Sequence, residues 1–101
     1  MENKSKPILI PTDFSVITRY AVPLAANLAK KLDTNIVLVH IVKKSADILD
    51  ATSKVLHEAE SVSKEYGVKV SGIVREGSIF SAIGDVVKEL NIRLVCMGTH
   101  G

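Results

Sequence analysis

The sequence predicts an α/β fold in three layers, with a doubly wound parallel sheet between two layers of helices. Short apolar runs, typical of buried strands, alternate along the 101 residues with longer segments in which apolar residues recur every three or four positions. Such alternation requires crossover connections, which join parallel strands. The length suits one hydrophobic core, so we expect a single domain over residues 1–101.

Composition and charge argue against several classes of protein. Apolar residues make up 47% of the chain and charged residues 24%, which is ordinary for a globular protein. The net charge of +2 comes from scattered Lys and Arg, so nucleic acid is not an expected partner. No apolar stretch has the length of a signal peptide or a membrane span, so a membrane is not an expected partner either. The single cysteine, Cys96, fits a reducing compartment, and we expect a cytoplasmic protein.

Four runs are predicted to be strands. Ile8-Leu9-Ile10 is short and lies between two prolines, where a missing N–H costs least. The seven residues from Ile36 to Val42 include one polar side chain and predict a central strand covered on both faces. Val68 to Val74 is more polar and is expected nearer an edge. The last run, Leu94 to Met97, has no polar alternation and is also expected to be covered on both faces.

Three amphipathic patterns predict the helices. In the first, Pro23 interrupts the spacing, so either the regular helix starts near Pro23 or a kinked first turn precedes it. The second runs from Asp47 to Tyr66 with Gly67 as its C-cap, and the third follows a candidate cap, Ser78. The residues expected to face the sheet are Ala21, Leu24, Ala25, Leu28 and Leu32, then Ile48, Val55, Leu56, Ala59 and Val62, then Ile79, Phe80, Ile83, Val86, Val87 and Leu90. The charged residues of the second helix, expected to be solvated, are Lys54, Glu58, Glu60, Lys64 and Glu65.

Two loops at the carboxyl ends of predicted strands carry residue types that suit a ligand site. Asp13 follows the first strand, and Gly98 and Gly101 follow the fourth. Ligands collect at this edge of an open α/β sheet, and a glycine loop can present N–H groups to an anion. Taken alone, each feature has a structural explanation, since Asp13 or Ser15 can cap the first helix and glycines can relieve backbone strain.

Three segments together resemble the universal stress protein family. They are Pro11-Thr12-Asp13-Phe14-Ser15, Leu38-Val39-His40-Ile41-Val42 and Val95-Cys96-Met97-Gly98-Thr99-His100-Gly101. The resemblance covers essentially the whole chain in order and spacing. It implies a Rossmann-like sheet of the adenine nucleotide alpha hydrolase-like type, with strand order 3-2-1-4-5. In the members of the family that bind ATP, an adenine nucleotide lies across strands one and four.

The resemblance implies roles for residues on the first two strands. Asp13 would lie against adenine or ribose, above a turn shaped by Pro11 and Thr12. Ile41 would pack its apolar side chain on the adenine. The implied ligand is ATP or AMP, with Mg²⁺ as a possible companion of the phosphates.

The last segment matches only the opening of the family's phosphate loop. Met97 would line the adenine pocket, and the backbone of Gly98 and Gly101 would serve ribose and phosphate. ATP-binding members continue with a further Gly and a Ser or Thr, and then with a fifth strand. The order here would therefore be 3-2-1-4 with the fifth strand missing, and we expect a truncated chain or a partner that supplies the missing edge. Phosphates would then be held weakly.

Catalysis and metal binding are not expected from these residues. No nucleophile stands beside a general base, and His40, His57 and His100 lack metal-ligand spacing. His40 is expected to bond to backbone at a strand end, and Cys96 to be a protonated core residue.

The expected function is an adenine-nucleotide-responsive module in stress response, which works through binding and dimerisation, with slow ATP hydrolysis left open. The alternative is a family member that binds no nucleotide and acts as a protein-interaction or dimerisation module. A phosphotransfer receiver domain would need an acidic cluster around Asp13, and the sequence has none there.

Overall fold

The computed structural model of the chain describes residues 6–97, which contain a parallel sheet of four strands in the order β3-β2-β1-β4. Strand β1 pairs in parallel with both β2 and β4, and β2 pairs with β3. The strands are β1 Ile8–Pro11, β2 Ile36–Val42, β3 Val70–Glu76 and β4 Leu94–Val95. The doubly wound parallel fold and the order 3-2-1-4 are thus confirmed.

The helices connect these strands and settle the question raised by Pro23. The helices are α1 Val16–Arg19, α2 Val22–Leu32, α3 Ile48–Tyr66 and α4 Ile79–Glu89, with a 3-10 turn at Ser45–Asp47. Pro23 lies in the first turn of α2, where its missing N–H costs no helical hydrogen bond, and α1 is a separate single turn before it. The regular helix therefore starts next to Pro23.

Helix α3 ends at the predicted residue, and the ends of strand β3 are shifted by two residues from those predicted. Gly67 ends α3 in the left-handed region with φ 68°, and its N–H donates to the carbonyl of Ser63 at 2.9 Å, which confirms the predicted C-cap. Strand β3 runs from Val70 to Glu76 and so begins and ends two residues later than predicted. It lies at an edge of the sheet, as its polar residues indicated.

Two apolar clusters lie on opposite faces of the sheet, so β1 and β2 are covered on both sides. On one face, Ile10 and Leu38 pack with residues of α2 and α3. On the other face, Leu9, Val37 and Val39 pack with residues of α4. The sheet therefore lies between α2 and α3 on one face and α4 on the other. Between residues 6 and 97, no helix has the length and apolar character needed to cross a membrane.

Part of the predicted sheet-facing set is wrong. Leu24 of α2 is 60% exposed, Leu56 of α3 is 51% exposed and Phe80 of α4 is 86% exposed. Ala25 of the predicted set does lie on the sheet side of α2, together with Ala26 and Ala29. Alanine lets a helix axis approach the sheet closely, which leaves neighbouring leucines at the side of the helix.

The fourth strand is also less covered than predicted. In the described part of the chain β4 is a sheet edge of two residues, and Leu94 and Met97 are 39% and 53% exposed. Cys96 follows the strand, and its N–H donates to the carbonyl of Leu9 at 2.9 Å, so the bonding to β1 continues past Val95.

Candidate functional site

A cavity of about 170 Å³ opens at the carboxyl ends of the strands. Parallel strands end at one edge of the sheet, so the turn after β1, the end of β2 and the segment after β4 meet there. The lining residues are Pro11, Thr12, Asp13, Ile17, Thr18, Val39, His40, Ile41, Ile79 and Met97. The structure therefore brings together Pro11, Thr12, Asp13, Ile41 and Met97, whereas Gly98 and Gly101 lie outside the described residues.

The backbone of Thr12 is held by strand β2. Its N–H donates to the carbonyl of Val39 at 2.8 Å, and its own carbonyl lies 2.7 Å from Nδ1 of His40. A carbonyl oxygen only accepts, so Nδ1 of His40 carries a proton and donates it. The prediction that His40 bonds to backbone at a strand end is confirmed. This imidazole therefore serves to hold the turn.

The hydroxyl of Thr12 makes two further bonds. It donates to Oε1 of Glu58 at 2.8 Å and accepts from the N–H of Phe14 at 3.0 Å. Phe14 has φ 66°, in the left-handed region that residues with a Cβ rarely occupy. Its ring lies 4.5 Å from the ring of His40, centroid to centroid. Side chains from α3 and β2 thus hold a backbone conformation that costs free energy.

Asp13 combines a structural bond with an accessible carboxylate. Its Oδ1 accepts from the N–H of Ser15 and from the hydroxyl of Thr18, both at 3.0 Å. The side chain and the N–H of Ser15, together with the Thr18 hydroxyl, lower the pKa of Asp13 below its ordinary value. The carboxylate is therefore ionised at neutral pH, and the residue is exposed at the cavity.

The predicted caps take a modified form. Ser15 occupies the N-cap position of α1 with extended φ and ψ, but its side chain makes no cap hydrogen bond. Asp13 instead accepts a hydrogen bond from the N–H of Ser15, the N-cap residue itself, whereas a capping side chain would accept from an N–H in the first turn of the helix. Ser78 likewise stands at the N-cap of α4 without a side-chain cap bond. A structural role for Asp13 and access from the cavity thus coexist.

The chemistry of the described lining suits a flat ring that carries hydroxyl groups. Ile17, Ile41, Ile79 and Met97 supply apolar surface, while the hydroxyls of Thr12 and Thr18 already bond to Glu58 and Asp13. Among the described lining residues, Asp13 is the one carboxylate, and no Lys or Arg is present. An ionised carboxylate beside an apolar wall accepts hydrogen bonds from hydroxyls while the ring is removed from water.

Glu58 was missed, and its predicted solvation is wrong. The residue is 8% exposed, whereas the other charged residues of that predicted face, Lys54, Glu60, Lys64 and Glu65, are exposed. The signal was present in the spacing, because Glu58 follows Val55 by three positions and precedes Val62 by four. It therefore lies on the apolar stripe of α3, where a carboxylate needs a partner.

The remaining titratable candidates are placed as follows. Cys96 is 8% exposed, and burial raises the pKa of its thiol, in agreement with its prediction as a protonated core residue. His57 is exposed on α3, and His100 lies outside the described residues. Within residues 6–97, no group of three or more His, Cys, Asp or Glu side chains could hold a metal ion.

Comparison with known proteins gives consistent matches. The family model described as the universal stress protein family matches residues 4–101. Universal stress protein Sll1654 of Synechocystis is 32% identical over 106 residues, which covers 95% of this chain and 68% of that protein.

Two solved structures share the fold. Protein Rv1636 of Mycobacterium tuberculosis has a TM-score of 0.77 at 20% identity, over 100% of this chain and 76% of that one. A universal stress protein in complex with cAMP has a TM-score of 0.73 at 19% identity, over 92% and 71%. At these identities the likeness is one of fold.

Proposed function

The chain belongs to the universal stress protein family, and we propose that it is a cytoplasmic regulatory module that binds an adenine nucleotide and responds by changing its association with protein. The observation that supports this most is the cavity in which Asp13, Ile41 and Met97, residues from three strand ends, lie together. A relative of the same fold in complex with cAMP adds support.

The proposed binding mode follows the chemistry of the lining. The adenine packs against Ile41 and Met97, and the ionised carboxylate of Asp13 accepts hydrogen bonds from ribose hydroxyls. The phosphates of AMP or ATP extend toward Gly98 and Gly101, in line with the family resemblance. Because the described lining holds a single carboxylate, Mg²⁺ would be bound chiefly by the phosphates.

Met97 offers a route from ligand to partner. It lines the nucleotide cavity and also a second, apolar groove, in which it lies with Tyr20, Leu24, Leu28 and Leu94. Tyr20 and Leu24 are 68% and 60% exposed. A ligand seated against Met97 therefore touches a residue of an exposed apolar surface, which suits ligand-dependent dimerisation without turnover of the nucleotide.

Isothermal titration with AMP, ATP and cAMP tests the proposal, with GMP as the competing base. Asp13→Ala should weaken AMP binding by about tenfold or more, which is about 1.4 kcal/mol. Asp85→Ala is the matched control, because Asp85 is exposed on α4 and does not line the cavity. Absence of AMP binding by the unsubstituted protein, or equal binding by the Asp13 variant, would overturn the proposal.

The exposed groove also supports a second candidate, a member that binds no nucleotide and acts as a dimerisation element. Leu24→Glu would then shift sedimentation toward the monomer, while Asp13→Ala would leave association and every measured activity unchanged. Under the first proposal, AMP alters sedimentation of the unsubstituted protein and not of the Asp13 variant.

A further inference from the structure

Glu58 is a buried carboxylate whose two oxygens face different partners. Oε1 accepts the hydroxyl proton of Thr12 at 2.8 Å, and Oε2 lies 3.8 Å from Nε of Arg19. The residue is 8% exposed, and a carboxylate at that depth is destabilising unless its oxygens are satisfied. A leucine could fill the same volume of the α3 stripe without that cost, so packing alone does not account for the carboxylate.

The bond to Thr12 determines how the next residues lie. The Thr12 hydroxyl donates its hydrogen bond to Glu58, so its oxygen is oriented to accept from the N–H of Phe14 at 3.0 Å. Phe14 has φ 66°, so this bond helps to hold a strained residue. Asp13 lies between the two residues that the hydroxyl links. A buried acid of α3, 46 residues away in sequence from Thr12, thus reaches the turn that carries Asp13.

We propose that Glu58 is a positioning residue for the nucleotide site, which acts through the Thr12 hydroxyl to hold the Asp13 carboxylate in its binding position. The inference rests on the proposed function for its consequence in binding. Its structural step concerns the protein alone and can be tested without ligand. The competing explanation is that Glu58 serves only to pair with Arg19.

Helix α3 offers a matched control for that competing explanation. Glu65 is also a carboxylate of α3 near Arg19, with Oε1 at 4.0 Å from Nη1, and it is exposed. The structure gives it no bond to Thr12, whose hydroxyl partner is Glu58. Glu65→Ala therefore removes a carboxylate that pairs with Arg19, while it leaves the hydrogen bonds of the turn after β1 intact.

The first experiment measures the pKa of Asp13 by carbon NMR of the carboxyl group in the protein without ligand. Glu58→Ala should raise the pKa, because a loosened turn loses the Ser15 and Thr18 bonds that stabilise the carboxylate. Glu58→Gln keeps an oxygen for the Thr12 hydroxyl and should not raise it. Loss of the negative charge alone would lower the Asp13 pKa in both variants. A pKa that rises in Glu58→Ala and not in Glu58→Gln therefore indicates a loosened turn and not a change in charge.

The second experiment measures AMP affinity by titration calorimetry. Glu58→Ala should weaken binding about three- to tenfold, as expected for the loss of one hydrogen bond, and Glu58→Gln and Glu65→Ala should stay within about twofold. Thr12→Val should reproduce the Ala result, and the double variant Glu58→Ala with Thr12→Val should be no worse than either single one. Thr12→Ser keeps the hydroxyl and should restore binding.

The outcomes decide between the explanations. An Asp13 pKa in Glu58→Ala that is no higher than that in Glu58→Gln, or an equal loss of AMP affinity in the two variants, overturns the proposal in favour of the Arg19 pair. If Glu58→Ala does not fold, the pair Thr12→Val and Thr12→Ser carries the same pKa test. If the unsubstituted protein binds no AMP, the proposed function fails, while the NMR result still decides whether Glu58 positions Asp13.

Discussion

The strand ends that form the cavity differ in how firmly they are held. The turn after β1 is bonded from three sides, with His40 of β2, Glu58 of α3 and Thr18 of α1 all making hydrogen bonds to it. The segment after β4 follows a strand of two residues at the sheet edge, and Met97 there is 53% exposed. The turn that carries Asp13 is therefore preorganised, and the segment that carries Met97 is lightly held.

This difference suggests separate roles for the Asp13 turn and the Met97 segment in binding. A carboxylate that must meet particular hydroxyls loses less binding free energy when its position is set before the ligand arrives. An exposed methionine has flexible, polarisable side-chain bonds and can adapt to a ring or to a partner surface. We expect selectivity to reside at Asp13 and adaptability at Met97.

The largest expected effect on stability is found by comparing Leu9 of β1, the strand before the Asp13 turn, with Leu94 of β4, the strand before Met97. Leu9 is fully buried in β1, and Leu9→Ala should lower the free energy of unfolding by about 2–5 kcal/mol. Leu94 of β4 is 39% exposed, and Leu94→Ala should cost about 1 kcal/mol or less. Urea unfolding measures both. Equal losses would show that the edge strand is as firmly packed as β1.

The second prediction measures the strain at Phe14. Phe14→Ala and Phe14→Gly both remove the ring, but glycine adopts φ 66° without a Cβ clash. The Gly variant should therefore be more stable than the Ala variant by about 0.5–1 kcal/mol. The same pair at Ser53, exposed within α3, should show the opposite order by a similar amount. Ala equal to or better than Gly at position 14 would argue against a strained turn.

The third prediction concerns pH. The folded-state pKa of Asp13 is lowered, so its contribution to stability is present above the ordinary carboxyl range and is lost as pH falls through the folded pKa. Asp13→Asn removes this contribution, and the gap in unfolding free energy between the two proteins should shrink in acid. The effect should be small because Asp13 is exposed. Thr18→Val should show a reduced form of it, since a bond to Asp13 is lost. A gap that widens in acid would reverse the assignment.

The smallest expected effect on stability is at Met97. Met97→Ala should change the free energy of unfolding by about 0.5 kcal/mol or less, because the side chain is 53% exposed. AMP affinity should nevertheless fall by about threefold, since apolar contact with the base is lost. Leu49, 82% exposed on α3 and absent from the cavity, gives a control that should alter neither property. Unchanged affinity in the Met97 variant would place the base elsewhere.

The parts of the molecule that could be predicted are those governed by local pattern. The apolar runs of β1 and β2 and the C-cap at Gly67 follow from short-range rules, whereas the sequence left two placements of Pro23 open and the structure decided between them. The meeting of Asp13, Ile41 and Met97 could also be anticipated, because the family resemblance supplies the strand order and parallel strands end at one edge.

Burial on the helices could not be predicted to the same degree. The spacing in α2 fits a leucine stripe and an alanine stripe equally well, and the closeness of the sheet selects Ala25 and Ala29 over Leu24. The spacing in α3 places Glu58 on the apolar stripe, but its identity as a charged residue favours solvent. The sequence of α3 alone does not show that the Thr12 hydroxyl, in the turn after β1, lies within hydrogen-bond distance of Glu58.

The sequence by itself determined the α/β alternation, the C-cap at Gly67 and the residue types available at the strand tips, because these depend on neighbours a few positions apart. The tertiary structure alone decided that Glu58 is buried against Thr12, that Phe14 is held with φ 66° and that Leu94 and Met97 are partly exposed. Those features depend on groups far apart in sequence, and their free energies are set only when the helices pack on the sheet.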